Sequence, residues 1–177
     1  MSTGTRPVVV LIGPPGAGKT TIARRLARVL NQPSADTDHM IEERYGAACG
    51  EVFSRLGEES FRTVEAEVVE EALGLPGVVS LGGGAVETPE VRSMLRNHTV
   101  VWIDVSAEEG TRRTSGNATR PILAADNPLE YYQGILHRRE PLYREVSDFR
   151  VRTDGVPPAQ LVGTILNMID AASGDED

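Results

Sequence analysis

Residues 8–20 read VVVLIGPPGAGKT, and this stretch decides the fold. Its first five residues are β-branched or leucine, a run typical of a strand that is covered on both faces. Residues 13–20 then match the pattern G-x-x-x-x-G-K-[ST] at every position. Residues 21–30 follow with Ile22, Leu26 and Leu30 at four-residue spacing, which predicts a helix. A strand, a glycine-rich turn and a helix in this order indicate an α/β domain that carries a phosphate-binding loop.

The glycine-rich turn predicts a binding site for a nucleoside triphosphate. Glycines allow backbone N–H groups to face inward around a phosphate, and the helix N-terminus adds about half a positive charge. We expect Lys19, the only lysine among 18 basic residues, to reach the β- and γ-phosphates. The hydroxyl of the next residue, Thr20, is expected to bind Mg²⁺. The candidate nucleotide-binding residues of the turn are Gly16, Ala17, Gly18, Lys19, Thr20 and Thr21.

The length and charge of the chain narrow the possible classes of protein. A chain of 177 residues is about the size of one domain, and 40% hydrophobic with 25% charged residues is ordinary for a globular protein. A net charge of −8 argues against a nucleic-acid-binding protein, which needs a basic surface. No apolar run approaches the roughly 18 residues that span a bilayer, and the single Cys49 permits no internal disulfide. We therefore expect one cytoplasmic, monomeric domain over residues 1–177, without nucleic-acid or membrane partners.

The rest of the chain alternates between strand and helix patterns. Further strands are predicted at residues 34–37, 78–81, 100–105 and 149–152. Helices are predicted at residues 40–45, 58–73, 89–95, 107–113, 130–145 and 159–171, and the glutamates of helix 58–73 are expected to point outward. The alternation predicts a three-layer α/β domain with a mainly parallel sheet, followed by a frayed acidic tail at residues 173–177.

Residues 115–128 form the one long polar segment between predicted elements. Such loops inside compact domains are usually lids or binding loops. Arg120 in this loop is a candidate catalytic residue, because a closing lid can lay its guanidinium group on a transferring phosphoryl group. The alternative is that the loop belongs to a solvated, arginine-rich face. We predict a mobile lid at about residues 115–128.

Two carboxylates follow the second predicted strand, in the sequence Asp36-Thr37-Asp38. Residues two apart in an extended segment point to the same side, so both carboxylates should face the crevice where ligands of α/β sheets bind. One carboxylate can hold Mg²⁺ through water, while the other accepts a proton from a substrate hydroxyl. The alternative is that Asp38 only caps the following helix, which is a common role of aspartate.

Three further motifs stand out in the rest of the chain. Phe61-Arg62 begins a helix with Glu65 three residues on, and the alternative here is a surface Arg–Glu pair. The run at residues 82–84, three glycines, suits only a sharp turn or a place where a ligand touches the backbone. Arg138-Arg139 either belongs to a solvated face or directs guanidinium groups at phosphate. The three histidines share no metal-ligand spacing and are expected to be structural, and the single Cys49 has no partner cysteine.

Together these motifs resemble those of the shikimate kinase family. The resemblance rests on GPPGAGKT (13–20), DTD (36–38), FR (61–62), SLGGGAV (80–86), RP (120–121) and REPLY (139–143), in this order across almost the whole chain. It implies a five-stranded parallel sheet flanked by helices, similar to nucleoside monophosphate kinases, with a mobile lid. It also implies ATP-dependent, Mg²⁺-dependent phosphorylation of the 3-hydroxyl of shikimate, on the route to chorismate and the aromatic amino acids.

The resemblance implies roles for residues on the nucleotide side. Asp36 helps Thr20 to hold Mg²⁺ through water, and Arg120 contacts the ATP phosphates. Arg113 stacks on adenine, with the turn at Pro157-Pro158 on the other side of the base. Residues 154–157 lack the arginine that family members often carry there, so one family contact to adenine is missing here.

The resemblance also implies roles on the acceptor side. Asp38 binds the shikimate hydroxyls and serves as the base for the attacking one. Arg62, beside Phe61, and Arg139 clamp the shikimate carboxylate. Gly83 offers backbone groups to the ring hydroxyls. The candidate substrate-binding residues are therefore Asp38, Phe61, Arg62, Gly82, Gly83, Gly84 and Arg139.

Two other kinds of function compete with this interpretation. Another small P-loop kinase, for gluconate or a nucleoside monophosphate, would share the loop at residues 13–20. It would lack the DTD–FR–GGG combination, or would need arginines for a second phosphate and a pocket for a base. A non-catalytic nucleotide-binding switch or assembly factor would have no use for Asp38 as a base or for arginines suited to a carboxylate.

Overall fold

The computed structural model describes residues 5–115 and 126–174. Five strands in this part of the chain form one sheet, and every neighbouring pair of strands is parallel. In chain order they are β1 (Pro7–Ile12), β2 (Ser34–Asp36), β3 (Gly77–Ser80), β4 (Val100–Asp104) and β5 (Phe149–Arg152). Their spatial order is β2-β3-β1-β4-β5, which places β1 in the centre. The expected five-stranded parallel sheet is confirmed.

Helices connect the strands and cover both faces of the sheet. They are α1 (Lys19–Leu30), α2 (Thr37–Tyr45), α3 (Cys49–Leu56), α4 (Glu58–Ala72), α5 (Pro89–Leu95), α6 (Ala107–Thr114), α7 (Pro128–Val146) and α8 (Pro158–Gly174), with a 3₁₀ helix (Ala85–Glu87) before α5. Along β1, Val9 and Leu11 pack into the core with α1 and α8, while Val10 and Ile12 pack with α4 and α5 on the opposite face. This alternation explains why β1 is an unbroken apolar run. None of the helices in the described ranges has the length and apolar character that a bilayer crossing requires.

The structure corrects the predicted elements at α3, at the end of α8 and at one side chain of α4. Helix α3 was not predicted, and only Val52 of its eight residues is buried, so its apolar pattern is short. Helix α8 continues to Gly174, so the prediction of a frayed tail beginning at residue 173 is wrong for its first two residues. In α4, Glu65 is buried rather than directed outward like the other glutamates of that helix. The remaining predicted helices and strands are found, two of them with the predicted bounds and the others with bounds that differ by one to three residues.

The carboxyl ends of β1, β2 and β3 meet at one edge of the sheet. Strand β1 leads into the loop at residues 13–18, β2 leads directly into α2, and β3 leads to the glycine run at 82–84. Since these three strands are neighbours and parallel, the segments that follow them surround a common crevice. Side chains of α4 and α7 contact the glycine run beside this crevice, Arg62 at Gly84 and Tyr143 at Gly83.

Candidate active site

The loop at residues 13–18 has a backbone that only glycine adopts easily. Gly13, Gly16 and Gly18 have φ angles of 148°, 81° and 96°, in the region that L side chains rarely occupy. A Cβ atom on Gly13 would also collide with the carbonyl oxygen of Ile103 in β4. Gly18 is the residue before α1, so the turn leads the loop straight onto the N-terminus of a helix. The loop is therefore shaped to surround an anion at the positive end of that helix.

Lys19 is held within this loop. Its Nζ atom donates hydrogen bonds to the carbonyl oxygens of Gly13 (2.7 Å) and Pro14 (2.9 Å), and the residue is buried. The neighbouring Thr20 Oγ1 donates to Asp36 Oδ2 at 2.8 Å. Because Lys19 and Thr20 are the first residues of α1, an ammonium group and a hydroxyl lie side by side at the mouth of the loop.

The prediction that Asp36 and Asp38 project from one extended segment is wrong. Strand β2 ends at Asp36, and Thr37 and Asp38 belong to the first turn of α2. The alternative of Asp38 as the helix cap is also wrong, because Asp36 is the cap: its Oδ1 accepts hydrogen bonds from the backbone N–H groups of Asp38 (2.9 Å) and His39 (3.2 Å). Capping uses only Oδ1 of Asp36, so its Oδ2 can accept the hydrogen bond from Thr20. The Asp38 carboxylate takes no part in capping the helix.

Asp38 is a buried carboxyl group beside charged neighbours. Burial raises its pKa above the usual aspartate value, the negative charge of Asp36 raises it further, and the positive charge of Lys19 partly opposes both. It lines the same crevice as Pro15, Lys19 and Gly83. A carboxyl group with a raised pKa binds a proton more readily, which is the property a general base needs.

The glycine run makes room for side chains from other elements. None of Gly82, Gly83 and Gly84 has a positive φ, so a sharp left-handed turn does not explain the run. A Cβ atom on Gly82 would lie only 3.1 Å from Asp38 Cγ, and one on Gly84 only 2.7 Å from Arg62 Nη1. Gly83 is approached by Pro15 of the phosphate loop. The absence of side chains thus allows the glycine run to contact the phosphate loop, the Asp38 carboxylate and the Arg62 guanidinium group.

Arg62 forms a partly buried ion pair rather than the surface pair considered from the sequence. Its Nη1 lies 2.8 Å from Oε1 of Glu65, a side chain only 2% exposed, and its Nη2 lies 3.3 Å from Oε2 of Glu87. The guanidinium group also lies 5.7 Å from the centre of the Phe61 ring. Burial raises the pKa of Glu65, and the charge of Arg62 counteracts this effect.

Arg139 and Arg138 occupy different environments although they are adjacent. The side chain of Arg139 is 11% exposed and its Nη2 lies 3.1 Å from Glu87 Oε2, whereas that of Arg138 is 57% exposed. Arg139 Nη1 lies 3.3 Å from the position of a Cβ on Gly83. Of the two arginines, Arg139 therefore faces the glycine run.

Sequence reasoning missed several residues that shape the site. Glu87 contacts both buried arginines, and the Tyr143 hydroxyl donates to the carbonyl oxygen of Gly83 at 2.6 Å. The Tyr132 hydroxyl donates to the carbonyl oxygen of Pro15, also at 2.6 Å. The tyrosines belong to α7 and their partners to distant loops, so spacing along the chain carried no signal for these contacts.

Of the other predicted nucleotide-side residues, Arg113 lies beside the phosphate loop. Arg113 Nη1 lies 2.9 Å from Thr153 Oγ1 and 3.3 Å from the carbonyl oxygen of Gly16, which holds it between the phosphate loop and the turn before α8. Pro158 is the first residue of α8. Arg120 and most of the predicted lid, residues 116–125, lie outside the described residues.

Comparisons with known proteins cover almost the whole chain. The family model described as "Shikimate kinase" matches residues 15–170. A shikimate kinase of Corynebacterium efficiens is 60% identical over 165 residues, which cover 93% of this chain and 98% of that protein. A shikimate kinase of Corynebacterium diphtheriae is 54% identical over 170 residues, which cover 96% of this chain and 98% of that protein.

Solved structures agree with the sequence matches. Shikimate kinase from Acinetobacter baumannii in complex with shikimate has a TM-score of 0.87 at 34% identity, covering 95% of this chain and 94% of that one. A gluconokinase from Sinorhizobium meliloti, with a TM-score of 0.58 and 16% identity over 94% of this chain and 93% of that one, shares the fold alone. The family match and the near-full-length relatives show that this chain belongs to the shikimate kinase family.

Proposed function

We propose that this chain transfers the γ-phosphoryl group of ATP to the 3-hydroxyl of shikimate, giving shikimate 3-phosphate and ADP. The observation that carries the proposal is the crevice in which the phosphate-binding loop faces the buried carboxylate of Asp38. The glycine run connects that carboxylate to Arg62 and Arg139. A phosphate site, a base and a carboxylate-binding site therefore lie next to one another, as the transfer of a phosphoryl group from ATP to a small hydroxylated acid requires. A relative solved with shikimate bound supports this acceptor.

On the nucleotide side, we propose that backbone N–H groups of residues 16–21 and the ammonium group of Lys19 bind the ATP phosphates. The loop geometry and the helix N-terminus supply positive potential where the phosphates need it. Lys19 has a compact charge that can leave the carbonyl oxygens of Gly13 and Pro14 for phosphate oxygens nearby. Arg113 and Pro158 remain the proposed adenine-side residues, and Arg120 the proposed phosphate contact from the lid.

Thr20 and Asp36 would hold Mg²⁺. A hydroxyl and a carboxylate are the oxygen ligands this cation prefers, and here the two oxygen atoms are 2.8 Å apart at the mouth of the phosphate loop. When bound, the cation neutralises charge on the phosphate oxygens during transfer.

On the acceptor side, we propose that Arg62 and Arg139 bind the shikimate carboxylate. Both side chains are largely buried, so their charges act with little screening by water. Because Gly83 has no side chain, its backbone is accessible from the crevice. The hydrogen bond from the Tyr143 hydroxyl fixes the orientation of its carbonyl group. Ring hydroxyls of the acceptor would lie along this backbone, between Phe61-Arg62 and Asp38.

In the chemical step, Asp38 accepts the proton of the 3-hydroxyl as the oxygen of that hydroxyl bonds to the γ-phosphorus. The bond between the γ-phosphorus and the bridging oxygen to the β-phosphate breaks, and the electron pair leaves with ADP. Lys19 stabilises the negative charge on the transferring group. Asp38 is suited to this role because it is buried, has a raised pKa and lines the crevice with Lys19.

We further propose that residues 1–177 act as one domain and as a monomer in the cytoplasm. One five-stranded sheet runs through the described residues, which supports a single domain. Gel filtration with light scattering would test the monomer, since a mass of twice the 19.1 kDa expected would contradict it.

The experiment that tests the function is ADP release from ATP with shikimate, gluconate, CMP or no acceptor. We expect release that depends on shikimate and on added Mg²⁺. Release with gluconate or CMP at a similar rate would favour another small-molecule kinase. Release that no acceptor stimulates would favour a nucleotide-binding switch.

A further inference from the structure

Glu87 is a charged group of the site to which the proposed reaction assigns no role. It ends the 3₁₀ helix that follows the glycine run, and its side chain is only 18% exposed. Its Oε2 atom lies 3.3 Å from Arg62 Nη2, and 3.2 Å and 3.1 Å from Nε and Nη2 of Arg139. A single oxygen atom therefore joins the two arginines that are proposed to bind the acceptor.

The carboxylate of Glu87 is itself anchored from the solvent side. Arg138 Nε donates to Glu87 Oε1 at 2.6 Å. Burial works against the charge of Glu87, but the hydrogen bond from Arg138 and the positive charges of Arg139, Arg138 and Arg62 together lower its pKa below the usual glutamate value. Glu87 is thus a fixed negative charge, with one oxygen held outside and the other presented to the arginine pair.

The edge of Arg139 that meets Glu87 is not the part that faces the acceptor. Glu87 contacts the edge formed by Nε and Nη2, while Nη1 lies beside Gly83 and Pro15. Glu87 and Arg62 line a surface groove between α4 and α5, whereas the reaction crevice is lined by the phosphate loop, Asp38 and Gly83. Arg139 reaches the crevice side at Gly83. A guanidinium group has five N–H donors, so contact with Glu87 leaves donors of both arginines for a ligand.

We propose that Glu87 is a positioning residue that sets the enzyme's affinity for the acceptor, by holding Arg62 and Arg139 at the separation at which both bind one carboxylate. The inference rests on the proposed function, because it takes these arginines to bind the shikimate carboxylate. Two guanidinium groups repel each other, and a shared carboxylate oxygen offsets this repulsion before the substrate arrives. Less of the acceptor's binding energy is then consumed in ordering two long side chains.

The test is Glu87→Gln, which keeps the shape of the side chain and removes its charge. We expect the KM for shikimate to rise roughly tenfold, because the charge-assisted bonds that order both arginines are lost. The kcat and the KM for ATP should stay within about twofold of wild type, because the phosphate loop and Asp38 are not contacted. The matched control is Glu90→Gln, three residues away and exposed, which changes the net charge equally and should leave all three constants unchanged.

Two results would overturn the inference. An unchanged KM for shikimate would show that Glu87 does not position the arginines, and a lowered KM would show that it competes with the acceptor for them. A wild-type enzyme without shikimate-dependent ADP release would instead contradict the proposed function itself. The two failures are therefore distinguishable in one set of assays.

A second variant, Arg138→Gln, keeps the inference testable if Glu87→Gln does not fold. Arg138 is exposed and contacts Glu87 from the solvent side, so its loss should loosen Glu87 and raise the KM for shikimate by roughly two- to threefold. In the double variant the KM should be no higher than with Glu87→Gln alone, because Arg138 acts through Glu87. An unchanged KM in Arg138→Gln, or multiplied effects in the double variant, would contradict the inference.

Discussion

The phosphate half and the acceptor half of the crevice are built by different means. The phosphate half is built around the consecutive residues 13–21, whose backbone conformation and helix N-terminus form the site. The acceptor half is assembled from α2, α4, the glycine run and α7, which lie far apart in the chain. Its arginines are held by ion pairs, above all Arg62 with Glu65 within α4 and Arg139 of α7 with Glu87 of the 3₁₀ helix after the glycine run.

The difference shows which half depends on local and which on distant interactions. Positive φ angles at glycine and hydrogen bonds within the loop are local, so the shape of the phosphate half is set mainly by adjacent residues. Tyr132 and Arg113 add contacts to the loop from distant elements. The acceptor half contains partly buried charges, which are costly unless each is paired. Substitutions in the phosphate half should therefore mainly lower kcat, whereas substitutions of the arginines and glycines of the acceptor half should mainly weaken the binding of shikimate.

Lys19→Ala should lower kcat by about 10³–10⁵-fold, the range for a positive charge that acts directly on a transferring phosphoryl group. Lys19→Arg should also be poor, because the ammonium group fits between the carbonyl oxygens of Gly13 and Pro14, where a planar guanidinium does not. Steady-state kinetics with thermal unfolding as the folding control would check both. An arginine variant that kept most activity would contradict the role of the compact charge.

Asp38→Asn should lower kcat by roughly 10²–10⁴-fold, because the base is lost while size and polarity are kept. Binding of ATP with Mg²⁺, measured by calorimetry, should change little. This result would show that Asp38 serves the chemical step and not the binding of the nucleotide. Turnover equal to that of wild type would remove Asp38 from the proton transfer.

The same variant should be more stable than wild type at neutral pH. The pKa of Asp38 is raised in the folded protein, so its proton is bound more tightly there than in the unfolded chain. Its contribution to stability is therefore present at pH values below the ordinary aspartate pKa and is lost as the pH rises through the raised pKa. The amide that replaces the carboxyl group cannot ionise, so Tm should rise at neutral pH and the gain should shrink as the pH falls towards the ordinary aspartate pKa. An increase in Tm that is equal at neutral pH and near the ordinary aspartate pKa would contradict the raised pKa of Asp38.

Arg62→Ala and Arg139→Ala should each weaken binding of shikimate by roughly 10–150-fold, from about 1.5–3 kcal/mol per charge-assisted hydrogen bond. Affinity for ATP should change much less, since both arginines lie in the acceptor half. Calorimetry with each ligand gives the comparison, and Arg28→Ala on the exposed side of α1 is the control for loss of one positive charge. Equal losses for both ligands would point to a phosphate role or to misfolding.

Gly84→Ala should raise the KM for shikimate by roughly three- to tenfold, the smallest effect of the series. Its Cβ would lie 2.7 Å from Arg62 Nη1, and the end of that side chain can move while the backbone stays. Gly134→Ala in α7 is the control, because nothing lies within 4 Å of its added Cβ. That variant should keep its kinetics and gain about 0.5–1 kcal/mol of stability. An unchanged KM in Gly84→Ala would contradict the role of the glycine run in making room for Arg62.

Most of the fold was predictable because its patterns are local. The apolar run of β1, the helix spacing after Lys19 and the proline that begins α5 each specify one element within a few residues. The elements that were missed or misplaced carry weak local patterns. Helix α3 buries one residue fully, and β2 is only three residues long, so the start of α2 at Thr37 was taken for strand.

The sequence by itself determined the α/β order and the phosphate loop, because both depend on residues that are adjacent in the chain. It also contained the chemical types of the acceptor site, a carboxylate and several arginines. Only the tertiary structure decided that Asp36 caps α2 and leaves Asp38 for the crevice, and that Glu65 is buried. Only the tertiary structure, too, placed Glu87 between Arg62 and Arg139. Burial and charge pairing depend on which distant elements meet, and no spacing along the chain records that.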